Sequence, residues 1–569
     1  MLSLSNRNYI QFDYNEDVAR SLIQRYRLKE IQARLITIRG FDNDVENFLN
    51  PKVKNLMPNP SLIKNIDKAT DIILSAIKNS LNILIWGDYD VDGVCSTSLL
   101  SNYFNVLGVK YAIHIPDRFS DGYGVNIDGL KKLSSIEQYD LIIMVDCGSN
   151  DNDSINYLKS LGKQIVIVDH HIIKGDYPNV DAFVNNKQID DLEETKDLCA
   201  TAMVFMLMVS INRGINNLFP LNKKINLLCY LDLVALATVC DVVPLYGLNR
   251  AFVKTGVAIL NRTKNFGLKK LLEKLGIKTA SPSDIGFQIG PSINAAGRLA
   301  NSDVAINLLN SNSSFDEVDI NANTIIELNT LRKTICHEVF QEALHQAKQK
   351  CTNNIILIHS NNWHEGIIGI VANKIKDLFQ KPCCIVSFLN NSEIGKGSGR
   401  STDNFDLGDA IISASEFLIH GGGHKKAVGF SIAHNMIEKL EEYLINHANN
   451  FNFANDHFID ASISLDAINT DFYNDVIALE PFGECNQEPL FKIDNVFITN
   501  VKPMGENHLS CVIKGENGTE KNGVSFNIFG TPLYDIFFNL DVTKRYSIVG
   551  RLIKNGWSSK IGFVISDII

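Results

Sequence analysis

The chain has 569 residues, of which 45% are hydrophobic and 21% are charged, and it carries a formal net charge of -10 at pH 7. This length is too great for one hydrophobic core, so about two to four domains are expected. The acidic balance excludes wholesale, histone-like binding of nucleic acid, although a local basic channel stays compatible with it.

The 11 cysteines include no Cys-x-x-Cys pair, and several, such as Cys229 and Cys240, lie inside apolar runs. This usage is typical of reduced thiols and not of a disulfide framework or a zinc knuckle. The N-terminal residues lack the apolar core of a signal peptide, and the longest apolar stretch, residues 199–211, is too short to span a bilayer. We therefore expect a cytoplasmic protein without a membrane partner.

Apolar, β-branched runs alternate with helical patterns over residues 80–185. The predicted elements are, in chain order, a strand at residues 83–86, a helix at 94–107, and strands at 111–115, 141–145 and 164–168. This alternation is typical of a parallel sheet covered by helices on both faces. The fold class expected for this part of the chain is therefore α/β.

Charged or metal-binding side chains follow each of these strands. They are Asp88, Asp90 and Asp92 after the first strand, Asp117 and Arg118 after the second, Asp146 after the third, and Asp169, His170 and His171 after the fourth. Because parallel sheets bind ligands at the carboxyl ends of their strands, we expect these side chains to meet at one edge. A buried helix predicted at residues 224–240 ends before Pro244, which places Asp241 at a turn where it can join them.

Each piece has an ordinary structural explanation when it is taken alone. Residues 88–93 could form a solvated acidic turn, Asp146 could cap a helix, and the two histidines could lie together in a loop. Their joint placement favours a metal site, because carboxylates this close raise one another's pKa unless a cation neutralises them. Aspartate and histidine without cysteine suit Mn²⁺ or Mg²⁺, and the number of candidate ligands suits a two-ion centre for phosphoryl displacement.

The second half of the chain shows three further patterns. Residues 315–350 predict one long polar helix, of a kind that often bridges two domains. Strands at residues 354–358 and 384–388 predict a second α/β unit, with glycine-rich loops at 395–401 and 421–426. The region after residue 455 predicts a small β-barrel, of which an OB-fold is one candidate. Its predicted strands lie at residues 496–500, 510–513, 524–529, 546–552 and 562–565.

Several basic and polar residues are candidates for holding phosphate or DNA. They are Arg118, Arg298, His364, Ser398, Arg400 and His424. Arginine offers a planar pair of donors to phosphate oxygens, and a glycine-rich loop at residues 397–400 would bring backbone N–H groups close to an anion. The structural alternatives are a salt bridge for Arg298, a tight turn for this loop, and ordinary loop histidines.

Three aromatic residues of the predicted barrel are candidates for base stacking. They are Phe526, Phe529 and Trp557. Proteins that bind single strands stack successive bases on such rings. The alternative is that they fill the core, as aromatic residues in short strands more often do.

The ordered motifs resemble those of the DHH phosphoesterase superfamily. The stretches that carry this resemblance are residues 88–93 (DYDVDG), 145–148 (VDCG), 169–171 (DHH) and 240–244 (CDVVP). Further stretches are similar to the RecJ family of single-strand-specific DNA exonucleases within it. These are residues 290–299 (GPSINAAGRL), 363–364 (WH), 397–400 (GSGR), 422–424 (GGH) and 479–483 (LEPFG). The combination extends from about residue 80 to the end and is far more specific than any one motif.

The resemblance implies a 5′→3′ exonuclease that releases mononucleotides from single-stranded DNA in DNA repair and recombination. A helicase and a single-stranded-DNA-binding protein are the partners that such a role implies. The implied domains are an N-terminal segment at residues 1–50, a parallel-sheet DHH domain at 51–315, a connecting helix at 316–350, a DHHA1-type α/β domain at 351–450 and an OB-fold-like nucleic-acid-binding barrel at 451–569.

The resemblance also assigns roles to the candidate residues. The implied metal ligands are Asp90, Asp92, Asp146, His170 and Asp241, with Asp88 and His171 as further ligands or as residues that orient a ligand or contact the phosphate. Asp146 would bridge the two ions. The residues implied at the 5′-terminal phosphate are Arg298, Ser398 and Arg400. The chain departs from the family pattern at residues 483–487 (GECNQ in place of GxGNP), which affects a loop and none of the metal motifs.

Two alternatives stay open on the sequence alone. One is a scaffold that binds single-stranded DNA through a degenerate site, and the intact acidic set argues against it. The other is a DHH phosphodiesterase that acts on short oligonucleotides or pyrophosphate. Relatives of that kind lack the long C-terminal β region, so its presence argues against this alternative.

Overall fold

The computed structural model describes residues 1–117, 124–133, 135–218, 225–389, 392–449, 451, 456–505, 507–554 and 560–569. This part of the chain divides into two compact units. The first unit contains Met1–Asp42, Arg332–Ala478 and Glu488–Ile569, and the second contains Asn43–Leu331 and Leu479–Gln487. None of the described helices combines the length and the apolar character that a membrane crossing requires.

The first unit begins with a segment that carries no sequence motif. Its elements are β1 (Asn8–Gln11), α1 (Glu16–Tyr26) and α2 (Glu30–Ile38). The segment is anchored by a buried carboxylate near the other end of the chain, because Ser3 Oγ and Tyr9 OH both donate hydrogen bonds to Asp567, at 2.8 and 3.3 Å. A buried acid that accepts hydrogen bonds from hydroxyl groups keeps its polar atoms satisfied.

The second unit is built on a five-stranded parallel sheet. Its first elements are α3 (Val45–Leu49), α4 (Val53–Leu56), α5 (Ile66–Lys78), β2 (Ile83–Trp86), α6 (Val91–Leu107), β3 (Tyr111–His114), α7 (Ile127–Lys132), β4 (Leu141–Val145), α8 (Asn152–Ser160), β5 (Gln164–Asp169) and β6 (Ala182–Asn185). The strand order is β3-β2-β4-β5-β6, and every neighbouring pair is parallel. The predicted α/β alternation is confirmed.

Helices complete this unit. They are α9 (Ala200–Leu218), α10 (Leu231–Cys240), α11 (Gly247–Leu260), α12 (Phe266–Lys274), α13 (Pro282–Asp284), α14 (Gly290–Leu299), α15 (Asp303–Leu309) and the first part of α16 (Phe315–Gln349). A π-helical stretch, Ile285–Ile289, joins α13 to α14. The helix predicted at residues 224–240 begins later, at Leu231, because Leu227–Tyr230 form a 3-10 turn. The long polar helix predicted at 315–350 is α16.

Both faces of the parallel sheet are buried, because successive strand residues point to opposite sides. Ile83 and Ile85 belong to the core that also contains α6, α9 and α10. Leu84 and Trp86 belong to a second core that contains α7 and α8. The uninterrupted apolar runs that predicted these strands therefore reflect burial on two sides.

Arg250 of α11 holds the separate segment Leu479–Gln487 in this unit. Its buried guanidinium donates hydrogen bonds to three consecutive backbone oxygens, those of Leu479, Glu480 and Pro481, at 2.8, 3.0 and 3.1 Å. Burial lowers the pKa of Arg250 to about 9. The desolvated cation is stable here because these carbonyl groups replace its water.

The first unit resumes after the division within α16. Its elements are β7 (Ile356–Ser360), α17 (Glu365–Phe379), β8 (Cys383–Ser387), β9 (Ile394–Arg400), α18 (Leu407–Ser413), β10 (His420–His424), β11 (Ala427–Ala433), α19 (Ile437–Ala448), β12 (Asp456–Ile459), β13 (Ala461–Ser462), α20 (Thr470–Ile477), β14 (Phe491–Met504), β15 (His508–Lys514), β16 (Glu520–Ser525), α21 (Pro532–Phe538), β17 (Tyr546–Lys554) and β18 (Ile561–Ile568). One sheet has the order β10-β11-β9-β8-β7, and β1 pairs with β12 in parallel.

The two glycine-rich stretches are strands, so the prediction that they form loops was wrong. β9 lies inside its sheet and pairs with both β11 and β8. Its alternate glycines face the core, where a Cβ at Gly397 would lie 2.3 Å from the ring of Phe430. The glycines therefore serve close packing, and the backbone N–H groups pair within the sheet rather than with an anion.

The C-terminal strands form a closed barrel. β14, β15, β16, β18 and β17 are neighbours in this order, and β14 also pairs with β17. The long strand β14 can serve two partners because its register shifts between Ile493 and Val496 and again between Thr499 and Lys502, and such irregularities bend a strand. The predicted barrel is confirmed.

Asp232 lies at the start of the buried helix α10 and is 3% exposed. Its carboxylate accepts hydrogen bonds from Thr263 Oγ1 at 2.5 Å and from the backbone N–H of Leu233 at 2.8 Å. Burial outweighs these bonds and raises its pKa from 3.8 to about 6. The folded protein therefore binds the carboxyl proton of Asp232 more tightly than the unfolded chain does. Stability is consequently lost as the pH rises from 3.8 to about 6.

We expect Asp232→Asn to remove this loss of stability. The free energy of unfolding of the variant should exceed that of the wild type by an amount that grows between pH 4.5 and pH 7. The excess should level off at ~3 kcal/mol, the free energy that corresponds to the difference between the folded and unfolded pKa values of Asp232. Thermal unfolding of both proteins from pH 4.5 to pH 8 measures it. The exposed Asp71→Asn is the matched control, and a Tm difference that does not vary with pH would contradict the assignment.

Candidate metal centre

The carboxyl ends of the central strands place acidic side chains together. Asp88 follows β2 and is 2% exposed, and Asp146 follows β4 and is 1% exposed. Asp90 is the N-cap of α6, where its Oδ1 accepts the backbone N–H groups of Asp92 and Gly93 at 2.9 and 3.1 Å. The positive end of the α6 dipole therefore lies at this edge of the sheet and favours negative charge there.

Asp92 is held by the N-terminus of a second helix. Its Oδ2 accepts the backbone N–H of Ala200 at 2.7 Å, and its Oδ1 accepts the backbone N–H and the hydroxyl of Thr201 at 2.8 and 2.6 Å. Because α9 begins at Ala200, this carboxylate caps the helix and is fixed in place. The same Oδ2 lies 3.6 Å from His170 Nε2, so Asp92 also faces the other candidate ligands.

Asp146 is the most constrained of the acidic residues. Its φ of 60° is left-handed, a conformation that costs about 1–2 kcal/mol for a residue with a Cβ. Its buried Oδ1 accepts no hydrogen bond within the described part of the chain. Burial and the negative charges of Asp92, Asp90 and Asp88 raise its pKa well above the usual range. A carboxylate in this position fits a bound cation, which would supply the missing partner.

Asp169 ends β5 and orients His171. Its Oδ1 accepts the Nδ1–H of His171 at 2.7 Å, and its Oδ2 accepts the backbone N–H of Ser149 at 3.2 Å. Burial alone would lower the pKa of His171, but the charge and hydrogen bond of Asp169 prevail and raise it to about 9. The bond engages Nδ1, so Nε2 is the ring nitrogen that can act on a ligand.

His170 links the two sides of the centre. Its Nε2 lies 3.4 Å from Asp146 Oδ1, and its Nδ1 lies 3.6 Å from Asp241 Oδ2. Burial lowers the pKa of His170, which favours the neutral imidazole that a metal requires. Burial and neighbouring negative charges raise the pKa of Asp241 to about 9. The next residue, Val242, has a φ of 55°, an uncommon conformation for a β-branched side chain that turns the chain sharply at this ligand.

Three sets of these side chains bring ligand atoms close enough to share a cation. The sets are Asp88 with Asp90 and Asp146, Asp92 with His170 and Asp241, and Asp146 with His170 and His171, and within each set the ligand atoms lie within 4.8 Å of one another. All the residues predicted for the catalytic site therefore come together. Asp146 belongs to two sets, which is the arrangement a bridging ligand needs.

Two residues that support the centre were not among the predicted site residues. Asp169 carried a signal, because it stands directly before the two histidines at a strand end. No sequence pattern pointed to Thr201, because its hydrogen bond to Asp92 joins residues that are far apart in the chain. Contacts of this second kind depend on tertiary packing.

Arg298 lies on α14, which packs against both sides of the centre. A Cβ at Gly290 would lie 2.2 Å from the sulfur of Cys240, the residue before Asp241. A Cβ at Gly297 would lie 2.7 Å from the backbone oxygen of Tyr89, the residue between Asp88 and Asp90. Arg298 follows Gly297 directly, so its backbone lies next to the contact with Tyr89.

Ser398 and Arg400 lie in the first unit, on the face of β9 opposite the core. Arg400 Nη1 donates to Ser398 Oγ at 3.2 Å and to the backbone oxygen of Gly399 at 2.7 Å. Gly369 of α17 packs close to both, since a Cβ there would lie 2.9 Å from Ser398 Oγ and 3.1 Å from Arg400 Nη2. The two side chains therefore share one surface, although no loop backbone surrounds it.

The two remaining histidines occupy different local structures. His364 caps α17, because its Nδ1 accepts the backbone N–H of Gly366 at 3.1 Å. His424 ends β10 and is exposed. Both histidines belong to the first unit, whereas the candidate metal ligands belong to the second.

Other predicted contacts with DNA have separate outcomes. Arg118 and Trp557 lie outside the described residues. Phe526 and Phe529 are 41% and 48% exposed, so neither belongs to the barrel core.

Three family models match the chain in order. Residues 82–238 match the N-terminal domain of the DHH family, residues 348–450 match the DHHA1 domain, and residues 459–565 match the RecJ OB domain. These segments contain the parallel sheet, the second α/β region and the closed barrel.

Relatives named as exonucleases are similar over most of the chain. The single-stranded-DNA-specific exonuclease RecJ of Bacillus subtilis (strain 168) is 30% identical over 557 residues, which cover 96% of this chain and 68% of that protein. RecJ of Escherichia coli (strain K12) is 28% identical over 525 residues, which cover 88% of this chain and 89% of that protein.

Solved structures share the fold. RecJ of Thermus thermophilus, crystallised with Mn²⁺, superimposes with a TM-score of 0.82 at 24% identity, over 99% of this chain and 79% of that chain. An exonuclease RecJ bound to manganese superimposes with a TM-score of 0.60 at 28% identity, over 70% of this chain and 97% of that chain. Together with the matched domains and the Bacillus relative, these likenesses show that the chain belongs to the RecJ family of the DHH phosphoesterase superfamily.

Proposed function

We propose that the chain hydrolyses single-stranded DNA from its 5′ end to 5′ mononucleotides, with two Mn²⁺ or Mg²⁺ ions at the metal centre. The observation that carries this proposal is Asp146, a buried carboxylate that belongs to two sets of candidate ligands and has an oxygen without a hydrogen bond in the described part of the chain. Relatives named single-stranded-DNA-specific exonucleases, and related structures that contain manganese or magnesium, support it.

The donor set fits two ions. Asp88, Asp90 and Asp146 would hold one ion, and Asp92, His170 and Asp241 would hold the other. Asp146 also belongs to a set with His170 and His171, which makes it the candidate for a ligand that the two ions share. Such ions neutralise the carboxylates, activate water and stabilise the leaving oxygen in an in-line displacement at phosphorus. Oxygen and imidazole ligands without a thiolate suit Mn²⁺ and Mg²⁺ better than structural zinc.

His171 would act on the phosphate rather than only on an ion. Asp169 engages its Nδ1, which orients the ring and leaves Nε2 to donate to a phosphate oxygen. The negative charge of Asp169 favours the protonated imidazole, which donates through Nε2. Asp169 is therefore a positioning residue for His171.

Arg298 of the second unit would bind the 5′-terminal phosphate of the strand, since arginine offers two parallel donors to phosphate oxygens. Ser398 and Arg400 of the first unit would also bind phosphate of the strand. Arg118, His364 and His424 would make further contacts with DNA. Binding along the backbone would weaken as salt rises.

The alternatives have less support. A scaffold with a degenerate site has no need to keep every candidate ligand within reach of the others. A DHH phosphodiesterase of short oligonucleotides has no need of the closed barrel. We propose a role in DNA repair and recombination in the cytoplasm, with a helicase and a single-stranded-DNA-binding protein as partners, and domains that divide near residues 50, 315, 350 and 450.

Replacing Asp146 should abolish hydrolysis. Asp146→Ala removes the shared ligand, so the rate should fall by more than the ~100-fold that loss of a ligand-supporting residue typically costs. Release of mononucleotides from a 5′-phosphorylated, end-labelled single strand in Mn²⁺ measures it, with DNA and RNA as parallel substrates. EDTA should stop the wild type.

The control for this variant lies at the other end of the same strand. Asp140 directly precedes β4 and accepts the backbone N–H of Asn82, so Asp140→Ala should retain activity. Circular dichroism should show that both variants fold. Wild-type rates in Asp146→Ala would contradict the two-ion assignment, and binding without cleavage by the wild type would favour the scaffold.

Thr201 should control metal affinity without touching the metal. Thr201→Val keeps the side-chain shape but removes the hydroxyl that donates to Asp92, so Mn²⁺ should bind about 10–100-fold more weakly, as for other residues that orient a ligand. Calorimetric titration with Mn²⁺ measures this change. Thr70→Val is the control, because the buried Thr70 hydroxyl donates only to Ile66 within α5. Equal affinities in both variants would contradict the role of Thr201.

A further inference from the structure

Phe287 is exposed on a short π-helix of the second unit. Its side chain is 81% exposed, while Ile285 and Ile289 at the two ends of the same stretch are buried. Leaving such a ring in water forgoes roughly 1.5–3 kcal/mol of burial. π-helical turns are rare and occur frequently at functional sites, so this ring is a candidate for contact with a ligand.

The π-helix packs against the segment that carries a metal ligand. The backbone oxygen of Ile285 lies 4.0 Å from the sulfur of Cys240, and a Cβ at Gly286 would lie 3.7 Å from Val239 Cγ1. Val239 and Cys240 are the last residues of α10 before Asp241. Phe287 therefore stands on the structure that supports the Asp241 side of the centre.

One face of the following helix connects Phe287 to Arg298. Phe287, Pro291, Asn294 and Arg298 are each at least partly exposed, and their spacing of four, three and four residues places them along one side of a helix. The positions between them, such as Ser292 and Ala295, are buried. The helix that carries this face runs from the Asp241 side of the centre, where the buried Gly290 packs against Cys240, to the Tyr89 side, where the buried Gly297 packs against the backbone of Tyr89.

We propose that Phe287 stacks on a base of the DNA strand whose 5′-terminal phosphate lies at Arg298. This inference rests on the proposed exonuclease function and adds a binding residue to it. Aromatic rings bind single-stranded bases by stacking without regard to sequence, and Arg298 supplies a charged group for the phosphate at the other end of the same face. The mixed chemistry of this face matches a strand that carries both phosphates and bases.

The length of the face sets which base is contacted. About 16 Å of helix separates Phe287 from Arg298 at ~1.5 Å per residue. A stacked strand rises about 3.4 Å per nucleotide, so Phe287 would meet a base within about five nucleotides of the 5′ end, and nearer to it if the strand is extended. A dinucleotide would not reach this ring, whereas a decanucleotide would.

The first test compares 5′-phosphorylated substrates of two and ten nucleotides. In Phe287→Ala the KM for the decanucleotide should rise by about 5-fold to 150-fold, the range that loss of one stacked base produces, while kcat/KM for the dinucleotide stays at the wild-type value. Phe287→Tyr, which keeps the aromatic face, should retain the wild-type KM for both. Wild-type KM values in Phe287→Ala for both lengths would overturn the proposal.

The second test locates the stacked base. A series of decanucleotides, each with one abasic site at positions three to six, should show one position at which the wild type binds more weakly. Phe287→Ala should be insensitive to the abasic site at that same position, because the interaction is already absent. If each abasic site weakens the binding of DNA equally in the wild type and in Phe287→Ala, no base of the strand contacts Phe287.

Phe315→Ala is the matched control. Phe315 is 62% exposed and begins α16, where its ring packs 5.0 Å from that of Phe266. This region lies at the far end of α6, since Asn105 near its C-terminus contacts Asn310 at 3.1 Å and Asp90 caps its N-terminus. Phe315→Ala should bind and cleave the decanucleotide like the wild type, and an effect equal to that of Phe287→Ala would overturn the specific role of Phe287.

Binding measured in EDTA separates this inference from the proposed function. Fluorescence anisotropy of a labelled decanucleotide reports affinity whether or not the protein cleaves DNA. If the wild type binds without cleaving, the proposed function fails, and a weaker affinity of Phe287→Ala alone still supports the stacking contact. If Phe287→Ala binds the decanucleotide as tightly as the wild type does, the contact is excluded, whatever the activity.

Discussion

The negative charge collected at the carboxyl ends of β2, β4 and β5 is the constraint on which the rest of the centre depends. Part of this charge is balanced locally, because Asp90 caps α6, Asp92 caps α9 and Asp169 pairs with His171. The buried Oδ1 of Asp146 accepts no hydrogen bond within the described residues, although His170 Nε2 lies 3.4 Å from it. Divalent cations held by these carboxylates would balance the remaining charge and would take the place of the protons that raised pKa values favour.

The same constraint explains why the ligands come from several elements. A parallel sheet brings strand ends together, and the helices that cover it point their positive N-termini at this edge. α9 holds Asp92 through Thr201, and α10 ends at Asp241 beside His170. α14 packs against both sides of this assembly through Gly290 and Gly297. The proposed binding of DNA along its exposed face depends on this packing.

The features that could be predicted from the sequence are those that a short stretch of it determines. Uninterrupted apolar runs predicted the strands of the parallel sheet, and the acidic residues directly after them predicted the candidate metal ligands. The glycine-rich stretch of β9 was misassigned because a run of glycines in the sequence is typical of a loop. The reason for these glycines is tertiary, since the ring of Phe430 packs directly against Gly397. The contacts of Arg250 and Thr201 and the exposure of Phe287 could not be predicted, because each arises only when the chain folds.

Anomalous diffraction at the manganese edge tests the central claim most directly. Crystals of the protein grown with Mn²⁺ should show two peaks about 3.5–4 Å apart, the spacing typical of two-metal centres, and Asp146 should contact both. A single ion that does not contact Asp146, or the absence of any peak at the carboxyl ends of β2 and β4, would contradict the account.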